Sequence, residues 1–305
     1  MDKISKTDET QHKSGYVAIV GRPNVGKSTL MNRLVGEKVA ITANKPQTTR
    51  QAILAIRNEP AAQIVFLDTP GIHKTAKNRL GTYMLDAAYY SLEDADIVCW
   101  LVEPTDFIGP DEQHIAERIG QRKTPVILII NKIDMVKKEK LLGIIATYDK
   151  LFSFAEIIPV SAREGHNVER LLGLLHKYLP VGPRFYDADM LTDQSIKTRL
   201  SEIIREKALH SLAEEVPHGI AVWIDTMERR GKLYDIAATI ICERDSHKRI
   251  IIGKGGASLK KIGTNARYEM EQLLKRKVHL QLWVKVKKDW RDSEYVLRDL
   301  GFRYD

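Results

Sequence analysis

The sequence predicts an α/β chain in two units: an N-terminal domain built on a mostly parallel sheet, then a smaller α+β domain. Three observations carry that expectation. Between residues 15 and 180, short apolar runs alternate with longer amphipathic stretches, the pattern of strands covered by helices on both faces. The stretch PVGPRFYDADMLT, with two prolines and a glycine, then breaks all periodicity, as a linker does. Beyond it the order becomes α, β, β, α, α, β, with no repeat of the first unit. At 305 residues and 43% apolar composition, the chain is long enough to bury two moderate cores.

In the first unit, YVAIV, IVFLD, DIVCWLV, PVILIIN and EIIPVSA are largely apolar, as strands buried on both faces are. KSTLMNRLVG, RLGTYMLDAAYYSL, DEQHIAERIG, KKEKLLGIIATYDKLF and NVERLLGLLHKYL read as the intervening helices. QAILAIRNEPAAQIVFLD predicts two strands around a turn at residues 58–61, hence one antiparallel edge. In the second unit, DQSIKTRLSEIIREKALHSLAEEV is a long amphipathic helix, and HGIAVWIDTME with KLYDIAATIICERD a strand pair. A second glycine loop, IIIGKGGASLKKIG, leads into the helix ASLKKIGTNARYEMEQLL, the strand VHLQLWVKVK and a short tail helix over residues 292–300. The expected divisions are a polar tail at 1–14, domains at 15–180 and 193–305, and a linker at 181–192.

Composition narrows the classes of function. No apolar run approaches the roughly 18 residues of a membrane span, and the polar N-terminal segment lacks the apolar core of a secretion signal, so the cytoplasm is the expected compartment. Cys99 and Cys242 lie in apolar, strand-like runs and are expected to be buried thiols rather than a disulfide or a ligand pair. The formal charge of +8 is modest, but it is concentrated. Residues 244–261 carry six basic groups against one acidic, and residues 275–291 carry seven against one, as a binding face on a balanced surface would.

The first glycine loop, GRPNVGKS at residues 21–28, sits between an apolar strand and a helix. That context suits a phosphate loop. Backbone N–H groups from Gly21, Asn24, Val25, Gly26 and the helix start through Thr29 would face phosphates, with the Lys27 ammonium on the β/γ oxygens. Ser28 would offer a hydroxyl to Mg2+. DTPG at residues 68–71 would add Asp68, through water, to the metal, and the Gly71 N–H to the γ-phosphate, making the next segment an order–disorder switch. A second switch candidate is AITANKPQTTRQ, in which Thr48 is expected to complete the metal shell, with Thr49 as the alternative. Lys27, Thr48 and Gly71 are the expected catalytic groups.

NKID at residues 131–134 selects the base. The Asp134 carboxylate accepts from N1–H and the 2-amino group of guanine, and adenine would leave it unpaired at a cost of roughly 1–3 kcal/mol. Asn131 would tie this loop to the phosphate loop, the Lys132 stem would cover one base face, and SAR from Ser161 would present the Ala162 N–H to guanine O6.

Together GRPNVGKST, PQTTR, DTPGIH, NKID and SAREG resemble the Era family of translation-factor-related GTPases, and the likeness runs over nearly the whole chain. The resemblance implies a P-loop GTPase domain followed by a type II KH RNA-binding domain. Ile72 stands where Ras-like GTPases carry a water-orienting glutamine; the resemblance implies slow intrinsic hydrolysis, or another group placing the water. Asn24 resembles the loop asparagine that holds K+ in related GTPases. A general-base role for His73 is disfavoured, because the reaction needs alignment and charge stabilisation.

The second loop lacks a GKS ending, and its GxxG suits a clamp for single-stranded nucleic acid instead. Gly253, Lys254, Gly255 and Gly256 would approach the backbone, with Lys248, Arg249, Lys260 and Lys261 extending the contact, while residues 250–252 and Ile262 form groove floor and core. Trp283 is expected to pack under the tail helix, and Lys287, Lys288 and Arg291 to extend the RNA surface. Family likeness implies binding at the 3' end of 16S ribosomal RNA during 30S subunit assembly, with GTP and GDP as alternating ligands of a monomer. Peripheral attachment of the basic face to a membrane stays open.

Overall fold

The structure, a computed structural model, describes residues 12–43, 45, 47–72, 76, 78–212 and 219–302. The first domain runs β1 (Lys13–Val20), α1 (Lys27–Val35), β2 (Ile53–Asn58), β3 (Ala62–Asp68), α2 (Arg79–Glu93), β4 (Ile97–Val102), α3 (Pro110–Gly120), β5 (Val126–Ile130), α4 (Lys138–Leu151), β6 (Glu156–Pro159) and α5 (Val168–Tyr178). Its sheet has the order β2-β3-β1-β4-β5-β6, parallel except for β2. Successive residues of β1 serve opposite layers. Val17 and Ile19 enter one core with α1 and α5, while Ala18 and Val20 enter the other with α2, α3 and α4. Burial on both faces is why these strands read as continuous apolar runs.

The second domain runs α6 (Ile196–Ser211), β7 (Ala221–Arg230), β8 (Leu233–Cys242), α7 (Asp245–Ile252), α8 (Ala257–Leu274), β9 (Lys277–Val286) and α9 (Glu294–Asp299). β7 and β8 are antiparallel, β8 and β9 parallel. Helices α6, α7 and α8 bury their apolar residues on one face of this sheet, with Ile204, Ile251, Ile262, Ala266 and Met270 at its centre. Cys99 and Cys242 are buried free thiols in the two domains.

Three local expectations need correction, and the linker reading gains a docking surface. β1 begins at Lys13, which pairs with Ala62, so the strand reaches into the stretch read as tail. The linker does not run free: Ile56 N donates to Leu191 O at 2.8 Å, Thr192 bridges Ala55, and Phe185 stacks on Tyr16. Asn58 on β2 and Gln63 on β3 fasten it further through their side chains. Trp283 is 50% exposed rather than tucked under the tail. Trp290 takes that place, wholly buried with Val296, Leu297 and Phe302 of the tail and Leu80 and Met84 of α2. Finally, Ile250 is exposed, so only Ile251 of that run is core.

Candidate functional site

The phosphate loop, DTPG, NKID and SAR all follow the carboxyl ends of parallel strands, on one edge of the sheet, where α/β folds place their ligands. Gly26 ends the loop at φ 101, and a Cβ there would lie 2.3 Å from Asn131 Nδ2. That closeness is used. Asn131 Nδ2 donates to Val25 O at 2.8 Å, joining NKID to the phosphate loop as expected. Gly71 lies equally close to the loop, since a Cβ on it would meet Pro23 Cγ at 2.5 Å. Ile72 is buried in the core and its N–H donates to Gly21 O at 3.2 Å. His73 lies outside the described residues.

Lys27 is buried, and its Nζ donates to Gly21 O at 3.0 Å and Arg22 O at 2.9 Å. Burial pushes its pKa down to about 8 against the opposing pull of Asp68. Burial likewise pushes the Asp68 carboxyl up, opposed by Lys27 and by hydrogen bonds from Ser28 and Thr49. Asp68 Oδ2 accepts from Ser28 Oγ at 2.7 Å and Thr49 Oγ1 at 3.2 Å, and the two hydroxyls are 2.8 Å apart. Asp68 Oδ1 is buried with no hydrogen-bond partner. One carboxylate with an orphaned oxygen and two hydroxyls form an all-oxygen set, and this fits a hard divalent cation such as Mg2+.

Of the two candidate threonines, the structure brings Thr49 to this cluster. Thr48 Oγ1 turns away and donates to Lys45 O at 2.6 Å, whereas its neighbour faces Ser28 and Asp68. The two adjacent hydroxyls therefore face different neighbours.

At the base end, Ser161 Oγ donates to Asp134 Oδ1 at 2.6 Å and fixes the carboxylate. Lys132, at φ 60, sends its ammonium to Glu103, which stretches its stem along the loop. The Ala162 N–H donates to Asn131 Oδ1 at 2.9 Å, which braces SAR against NKID. Thr29 occupies the first turn of α1, and exposed Asn24 holds a left-handed φ of 64 beside it. Sequence reading missed Glu112: only 1% exposed, it ion-pairs with Arg22 of the phosphate loop and caps α3 through the Gly109 N–H. An acidic residue in a helix first turn gives no hint of a partner so distant in sequence.

In the second domain the GxxG loop joins α7 to α8. Gly253 has φ 73 and approaches Ser258, while Gly255 and Gly256 take left-handed φ of 59 and 80 with open space around them. Lys254, Arg249, Lys260 and Lys261 are exposed around the loop and Lys248 is half-buried. Exposed backbone ringed by cations is a surface for a phosphodiester chain. Arg291, expected to extend this surface, is partly exposed and pairs with Glu243 at 2.8 and 2.6 Å.

A mostly parallel sheet with the phosphate loop, DTPG, NKID and SAR at the carboxyl ends of its strands, joined to a GxxG domain, defines a GTPase carrying an RNA-binding module. The model of the 50S ribosome-binding GTPase family matches residues 16–132, and that of the KH domain residues 215–291. GTPase Era of Clostridium kluyveri is 51% identical over 292 residues, covering 95% of this chain and 99% of that protein. GTPase Era of Alkaliphilus oremlandii shows the same identity and coverage. A crystal structure of Era in complex with MgGDPNP and nucleotides 1506–1542 of 16S ribosomal RNA superposes with TM-score 0.93 at 42% identity, over 96% of this chain and all of that one. A single-residue variant of Aquifex aeolicus Era, bound to GDP.AlF4-, superposes with TM-score 0.92 at 42% identity over the same shares of the two chains. The chain belongs to the GTPase Era family.

Proposed function

We propose that this chain is a Mg2+-dependent GTPase whose nucleotide state governs the binding of its KH domain to the single-stranded 3' region of 16S ribosomal RNA, acting as a cytoplasmic monomer in 30S subunit assembly. One observation carries the reading: a relative that matches both domains together holds MgGDPNP and nucleotides 1506–1542 of 16S RNA. The GTPase model matching residues 16–132 is described by the 50S particle; the match spanning both domains is the better guide to the RNA.

Ser28, Asp68 and Thr49 would hold the metal, which when bound supplies positive charge to the phosphate oxygens. Backbone N–H groups from the phosphate loop orient the triphosphate, and buried Lys27 places its ammonium among the same oxygens. Gly71, held against Pro23, brings the DTPG backbone to the terminal phosphate. Asp134, fixed by Ser161, reads the two donors of guanine. With Ile72 buried, alignment of the attacking water falls to backbone and solvent, consistent with slow turnover. K+ beside Asn24 would add charge there, and exchanging K+ for Na+ at fixed Mg2+ tests it: unchanged turnover removes that ion from the reading.

The test of the whole reading is binding of single-stranded 16S segments in GDP and in a non-hydrolysable GTP analogue, at two salt concentrations. Tight, nucleotide-dependent binding of a 3'-terminal segment is expected. Weak binding of every segment, equally salt-sensitive and blind to nucleotide, would overturn it.

A further inference from the structure

The segment that carries Thr49 to the metal site is fastened along its length to the KH domain. Lys38 Nζ pairs with Glu206 on α6 at 2.6 Å, and Glu206 Oε1 accepts from the Thr42 N–H at 2.9 Å. His210, one turn further along α6, donates to Thr42 O at 2.8 Å. Arg205, also on α6, donates to Thr48 O. Arg50 completes the row. It is 5% exposed, donates to Ile220 O at 2.6 Å, and lies 5.6 Å over the Trp290 ring. Thr49 therefore sits between a carbonyl and a side chain that are both held by the other domain, while its own hydroxyl faces Ser28 and Asp68.

We infer that the KH domain positions the catalytic switch: Arg50, Arg205 and His210 are positioning residues that hold Thr49 at the metal site, making α6 an internal part of the GTPase. The inference rests on Thr49 being the switch ligand. A free loop would have to order its backbone whenever it closed, at roughly 1–2 kcal/mol per residue. Docking on α6 places that ordering in the folded protein. The same row of bonds transmits force in reverse, because whatever shifts α6, an RNA on the KH face included, shifts Thr49.

The experiment uses the full-length chain with Thr49→Ala, Arg50→Lys, Arg205→Lys and His210→Ala, reading kcat and KM for GTP, affinity for GDP, and the melting temperature. Loss of Thr49 should abolish most turnover. Arg50→Lys and Arg205→Lys should lower kcat about tenfold and exposed His210→Ala about threefold, since small misplacements of aligned groups are costly, with GDP affinity within about twofold of the parent because GDP leaves no γ-phosphate for Thr49 to serve. If Arg205→Lys fails to fold, His210→Ala decides. An inactive Thr49→Ala beside positioning variants of parental kcat would overturn this inference and leave the metal assignment standing. A Thr49→Ala protein with parental turnover would overturn the metal assignment itself.

Discussion

Asn131 holds three loops together with one side chain. Its Nδ2 reaches Val25 O and its Oδ1 takes the Ala162 N–H, so the phosphate and base ends of the site share one fixed point. Gly26→Ala would drive a Cβ into that amide while demanding a left-handed φ. We expect nucleotide binding to fall by about 5- to 150-fold with the fold retained, a clash of this kind costing about 1–3 kcal/mol; titration of a fluorescent GTP analogue, beside circular dichroism for the fold, checks it. Asp134→Ala removes the acceptor for two guanine donors, and we expect a loss of about 1–3 kcal/mol in GTP affinity, measurable by calorimetry. At this scale most of the site was legible, because phosphate and base chemistry require certain residues at certain spacings. The choice between Thr48 and Thr49 was not. Both carry the same hydroxyl, and only the folded chain shows that Thr49 faces Ser28 while Thr48 turns to Lys45 O.

The strands and helices of the first domain were legible for a plain reason: burial on both faces leaves apolar runs, and helices between them leave 3.6-residue periodicity. Alternation in β9 was read correctly as well, with Val278, Leu280, Leu282, Val284 and Val286 turned to the core. Trp283 was misplaced because two tryptophans lie close in sequence and only tertiary packing chose Trp290 for the tail. The GxxG loop gives the prediction for this scale. Lys254→Glu reverses one charge at an exposed tip, so stability should change by less than about 0.5 kcal/mol. RNA affinity should fall, and the slope of log affinity against log salt should flatten by about one unit. Filter binding at several salt concentrations reads both.

For the whole molecule, sequence announced two domains and said nothing of how they meet. No periodicity records a contact between α2 and the tail, yet Leu80 and Met84 pack with Trp290, Val296, Leu297 and Phe302, and the Arg79 N–H donates to Asp292 at 3.0 Å. α2, which follows DTPG in sequence, thus meets the KH domain, as does the segment carrying Thr48 and Arg50. Trp290→Ala should cost about 3–5 kcal/mol and divide one thermal transition into two, as calorimetry would show. A single shifted transition would mean that the polar row along α6 suffices to hold the domains together.

The linker docked along β2 bears on solubility. β2 is the outermost strand of the six-stranded sheet, and a bare edge invites another chain to pair with it. Leu191 and Thr192 occupy part of that edge, and residues 185–190 cover its flank. A GTPase domain cut after Leu179 would expose backbone that the intact protein never shows to solvent, and should self-associate in sedimentation. Cut after Thr192, it should stay dispersed, so the connection between the domains also works as the first domain's guard against aggregation.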